Sequence, residues 1–103
     1  MIVFGVDPGS NLAGLAVLKT SSQGEQRPDL LALDIYSTKK GASFDEKLFK
    51  ILTEIEKAVI EFQPDVLVLE EAFTGANIQS ALRLAEVRGA IIYLAQKNKI
   101  KVE

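Results

Sequence analysis

Two carboxylates carry most of the chemistry available to this 103-residue chain. Asp7 follows the apolar run Met1–Val6 and Glu70 follows Val66–Leu69, so each acid stands where a short β-strand would end. On neighbouring strands, side chains at such positions lie roughly 5 Å apart. Carboxylates that close repel each other unless a proton or a cation intervenes, and hard divalent ions such as Mg2+ or Mn2+ prefer oxygen donors. Open parallel sheets bind ligands beyond the carboxyl ends of their strands. Glu71 competes with Glu70, because alternation along an extended chain lets only one of them share a face with Asp7. A second reading of Asp7-Pro8-Gly9 is a plain turn in which the Asp7 carboxylate accepts backbone hydrogen bonds. No acid between Glu71 and Glu103 ends a comparable strand. The pair therefore reads as half of a metal site, and the chain as a piece of an enzyme.

Composition narrows the chemistry further. A chain of this length with 48% hydrophobic residues buries one core and leaves no room for a second domain, so residues 1–103 are expected to form a single, incomplete domain. With no cysteine and no histidine, thiolate zinc sites, cysteine nucleophiles and an imidazole general base are all excluded. Met1–Val6 is too short for a signal peptide or membrane span and is broken at once by Asp7-Pro8-Gly9, so a cytoplasmic location without membrane contact is expected. The net charge of −2 exerts no global pull on nucleic acid. Local charge is different: Arg83 and Arg88 fall on the last helical stretch, and Lys97, Lys99 and Lys101 make the carboxyl end positive.

The elements that must position the two acids are legible in order. Met1–Val6 has the unbroken apolar character of a central strand. Leu12–Lys19 follows after a tight turn and predicts an antiparallel hairpin, with Gly14 as either a bulge or a place of close backbone approach. Thr20–Pro28 is a polar connection. Asp29–Ser37 alternates Leu31, Leu33 and Ile35 against Ala32 and Asp34, which predicts a strand whose leucine side is the better buried. Thr38–Ala42 is a loop carrying Lys39, Lys40 and Gly41. Ser43 and Glu46 have capping-box spacing, and Leu48, Ile51, Leu52, Ile55, Val59 and Phe62 predict a helix over Phe44–Phe62 that Pro64 ends. Val66–Leu69 then predicts a parallel strand after a right-handed crossover. Asn77 caps a second helix over Ile78–Gln96, whose apolar face is broader than one sheet surface needs. A dimer interface or downstream residues could take up the excess, with Gly89 allowing close packing. Ile100–Glu103 is a candidate fifth strand.

In sum, the order predicts an α/β domain: a three-stranded antiparallel meander, a helix, a parallel strand, a helix and a candidate fifth strand. An apolar strand running into Asp7-Pro8-Gly9-Ser10 with Gly14 behind it, Phe62-Gln63-Pro64-Asp65 before the fourth strand, Glu70 at its end, then Phe73, Asn77, Ser80-Ala81-Leu82 and Arg88-Gly89, resembles the amino-terminal part of a RuvC-type Holliday junction resolvase. The resemblance covers nearly the whole chain.

It implies a truncated ribonuclease H-like fold and a metal-dependent endonuclease that resolves four-way DNA junctions in recombination and repair as a homodimer. Asp7 matches the family's first metal ligand and Glu70 its catalytic glutamate, with Mg2+ the implied ion and Mn2+ a substitute. Phe73 matches an aromatic residue that stacks on bases near the junction centre, and Asn77 and Arg83 are further candidate DNA contacts. The 78–96 helix matches the dimer segment, and motors that drive junction migration are implied partners. The family takes further ligands from a later helix, so the 103 residues alone are expected to be inactive. Two other readings stay open: an actin-like or acetate-kinase-like nucleotide-binding fragment, which shares the DxG turn, and an inactive dimerisation module.

Overall fold

The computed structural model describes residues 1–9, 12–21, 27–70 and 77–103. Among the described residues five strands and two helices follow one another: β1 Ile2–Asp7, β2 Leu12–Lys19, β3 Asp29–Ser37, α1 Phe44–Phe62, β4 Val66–Leu69, α2 Ile78–Lys97 and β5 Lys101–Val102. The sheet order is β3-β2-β1-β4-β5. The first three strands form the expected meander, antiparallel throughout, while β4 joins β1 in parallel and β5 joins β4 in parallel. The candidate fifth strand is therefore real, and its ladder runs on to Glu103, whose amide donates to the Leu67 carbonyl at 2.9 Å.

Both helices begin where the sequence places them, for local reasons. The Ser43 hydroxyl accepts the Glu46 amide at 3.2 Å, and Asp45 and Glu46 set negative charge against the positive end of the α1 dipole. At the far end Gln63 turns left-handed (φ 47°), its amide donates to Val59 O, and Pro64 cannot continue the helix. The Asn77 Oδ1 accepts the amides of Gln79 at 2.9 Å and Ser80 at 3.3 Å, which starts α2.

The helices and one face of the sheet make the core. Phe4 and Val6 of β1, Leu15 and Val17 of β2, Leu67 and Leu69 of β4, Ile51 and Ile55 of α1, and Val87 and Ile91 of α2 are all buried together. Phe4 meets Phe62 edge to face, with ring centroids 6.3 Å apart. Complete burial of each such side chain contributes roughly 1.5–3 kcal/mol.

One expectation is corrected and one alternative is decided. Leu33 and Ile35 are 69% and 66% exposed, so the leucine side of β3 is the open side of the sheet, and the helices cover the side that carries Ala32 and Tyr36. The register explains it: Leu33 lies opposite Ala16 and Ile35 opposite Gly14, on the face away from Leu15 and Val17. Gly14 is also not a bulge. It pairs regularly with Asp7 and Ile35, and the irregularity in β2 falls instead between Val17 and Leu18.

Candidate metal centre at the carboxyl edge of the sheet

Asp7 is the last residue of β1, and Glu70 directly follows β4. The parallel register pairs Gly5 with Val68 and Val6 with Leu69, so the next position across is Asp7 beside Glu70. The Glu70 amide lies 3.5 Å from the Val6 carbonyl, carrying the ladder up to this point. Alternation then decides the face. Phe4, Val6, Leu67 and Leu69 are buried against the helices, so Gly5, Asp7, Val68 and Glu70 turn to the open side.

On that side the two acids stand at the end of an apolar depression of about 490 Å3, whose walls include Gly5, Gly14, Ala16, Leu33, Ile35 and Val68. Small residues make its floor. A side-chain carbon placed on Gly14 would meet the Asp7 Cβ at 3.8 Å, an ordinary van der Waals contact, so Gly14 and Asp7 are immediate neighbours across the ladder. Both acids are exposed to solvent. Pro8, directly after Asp7, is buried, and its ring fixes one backbone angle at the exit of β1.

Two oxygen donors at neighbouring positions of parallel strands, on one face, are of the type a hard divalent cation prefers. They do not form a closed cage. Among the described residues no third acid joins them.

Of the remaining predicted site residues, Asn77 caps α2 and Arg83 lies within it. Asn77 is exposed at the start of α2, its carbonyl oxygen taken up by the helix cap. Arg83 places its guanidinium carbon 4.2 Å from the centroid of the Phe44 ring, which ties α2 to the first residue of α1. Phe73, like the competing Glu71, lies outside the described residues. The outer side of α2 carries Ile78, Leu82 and Tyr93 at 80%, 59% and 69% exposure, so the surplus apolar surface expected there is present. Gly89 has open space above it on that helix.

The sequence reading assigned nothing to Lys39 and Lys40. The third strand of a meander ends at the same edge as the first, and that parity was the available signal.

A sequence model of the family described as crossover junction endodeoxyribonuclease RuvC matches residues 3–103. The chain belongs to the RuvC family. The RuvC relative from Chloroherpeton thalassium is 39% identical over 98% of this chain and 53% of its own length. The chain thus spans about half the length of the curated RuvC proteins it matches. Among solved structures, Thermus thermophilus RuvC in complex with a Holliday junction substrate superposes with a TM-score of 0.88 at 22% identity, covering 99% of this chain and 63% of the other. The Aquifex aeolicus Ppx/GppA phosphatase shares the fold at a TM-score of 0.56 and 16% identity, covering all of this chain and 35% of that one. The RuvC match and the 3-2-1-4-5 sheet together establish the ribonuclease H-like fold.

Proposed function

We propose that this chain carries the strand-borne half of a metal-dependent endonuclease centre that resolves four-way DNA junctions in recombination and repair. The carrying observation is the placement of Asp7 and Glu70 at equivalent positions of adjacent parallel strands, on the open face, in a RuvC-family chain. In this reading Asp7 and Glu70 hold Mg2+, or Mn2+ in its place. When bound, the ion supplies charge stabilisation at a phosphoryl oxygen and a more acidic water.

The protein's own contributions are positional. The paired strands hold the two carboxylates on one face, and the exposed carboxyl edge leaves the phosphate access from solvent. Phe73 stacks on a base near the junction centre, while Asn77 and Arg83 contact the DNA on the α2 side. Symmetric cutting requires a homodimer, which the exposed stripe Ile78, Leu82 and Tyr93 of α2 supports. Junction-migration motors are the partners that deliver such a substrate, and the cytoplasm is where it would act.

Two carboxylates are too few for a two-ion site, so the 103 residues alone are inactive in this reading. A junction-cleavage assay tests it. A form extended to the length of its relatives should cut a four-way junction with Mg2+ and lose that activity in Asp7→Asn and Glu70→Gln. Failure of the extended form to cut overturns the function, whereas Asp7-dependent nicking by the 103 residues alone overturns only their inactivity.

A bare dimerisation module would be favoured by Asp7 and Glu70 facing apart, and the parallel register of β1 with β4 speaks against that.

A further inference from the structure

A nuclease must hold the DNA backbone on either side of the phosphate it cuts, and a net charge of −2 supplies no general attraction for it. The placement of individual cations therefore matters. Strands β1 and β3 are both antiparallel to β2 and so run the same way, and Gly14 faces both Asp7 and Ile35. The end of β3 at Ser37 accordingly lies on the same edge as the two acids. From there the chain crosses to the helix layer through residues 38–42, which carry Lys39 and Lys40.

Both lysines are exposed, and neither joins an ion pair among the described residues. Their backbone is well anchored. The Ala42 amide donates to the Lys39 carbonyl at 3.1 Å, Gly41 takes the left-handed conformation (φ 88°) that glycine adopts without strain, and Ser43 caps the helix that follows. Arg83, held over the Phe44 ring, sets a third cation beside the first turn of α1. Asp45 and Glu46 already counter the positive end of that helix, so the lysines and not the helix terminus are the anion-binding groups here.

We infer that the Lys39-Lys40 turn is a contact for the DNA phosphate backbone at the cutting edge, an inference that rests on the functional reading above. The turn lies two strands to the side of Asp7, roughly 10 Å away laterally. It therefore engages phosphates a few nucleotides from the one that Asp7 and Glu70 address. Lysine acts as a flexible point charge, so the contact positions the strand without reading its sequence.

Fluorescence anisotropy of a labelled four-way junction, titrated with the chain across a salt series, tests this. The matched control is Lys97→Ala with Lys99→Ala, which removes the same charge from the opposite edge of the sheet. Lys39→Ala with Lys40→Ala should weaken binding about 3- to 30-fold and reduce the slope of log affinity against log salt by about 1–2, with the control unchanged. Lys40→Glu alone should weaken binding in the same direction. If the chain binds but both alanine pairs lose affinity equally, or the Lys39/Lys40 pair loses none, the inference falls and the functional reading stands. No junction binding at any salt by the unmodified chain overturns the inference, while the functional reading stands or falls with cleavage by the extended form.

Discussion

Ile2 and Asp65 clasp each other at the amino-terminal ends of β1 and β4: the Asp65 carboxylate accepts the Ile2 amide at 2.8 Å, and the Asp65 amide donates to the Ile2 carbonyl at 2.8 Å. They are 63 residues apart in sequence, the same offset that pairs Asp7 with Glu70 at the other end of these strands. The clasp thus pins the register that brings the two acids together. Replacing Asp65 by alanine should cost about 1–2 kcal/mol in a urea melt, since one charge-assisted bond is lost and an amide is left without its partner. Asp7→Asn and Glu70→Gln, at exposed positions away from the clasp, should leave the melt within about 0.5 kcal/mol of the parent.

Manganese should find Asp7 and Glu70 even without further ligands. In nuclear magnetic resonance, Mn2+ should broaden the amides of Gly5–Asp7, Gly14 and Val68–Glu70 selectively, and saturation should require roughly millimolar ion because few protein oxygens contribute. Asp7→Asn should abolish the selective broadening. Uniform broadening over all acidic surfaces would show that no local site exists.

Tyr36 should titrate late. It sits in a cleft of about 320 Å3 between β3 and α1 with Asp34, Glu54, Lys57 and Glu61. Burial first, and then the charges of Asp34, Glu54 and Glu61, push its phenol above the ordinary value of 10.0. A raised pKa means that the unfolded chain releases this proton first. The stabilisation is therefore whole below pH 10.0 and is lost as pH climbs through the folded value. In a Tyr93→Phe background, the phenolate absorbance of the remaining tyrosine should have its midpoint above pH 10.0, and Tyr36→Phe should flatten the alkaline decline in stability.

The uncovered side of the sheet should make this chain self-associate. Leu33 and Ile35 stand on an edge strand beside the flat surface of Gly14 and Ala16. Long apolar edges of this kind pair with other chains unless charge interrupts them. Light scattering should show a mass that grows with concentration, and Leu33→Lys or Ile35→Lys should shift it toward the monomer.

The bounds of β2, β3, β4 and α1 were readable because their signals are local. Ser43 caps, Gln63-Pro64 stops, and the apolar positions between Leu48 and Phe62 repeat with the helical period. The ordered set running from Asp7-Pro8-Gly9-Ser10 through Phe62-Gln63-Pro64-Asp65 and Glu70 to Arg88-Gly89 likewise pointed to the family. Which side of β3 would be covered was not readable. Alternation shows that a strand has an apolar face, but only the chain crossing to α1 and α2 decides which face receives the helices. Leu33 and Ile35 lost that choice to Ala32 and Tyr36. The identities of Asp7 and Glu70 belong to the sequence. That they stand side by side, with the Lys39-Lys40 turn on the same edge, was decided by a parallel register between segments 63 residues apart and by the direction of β3, which no local pattern encodes.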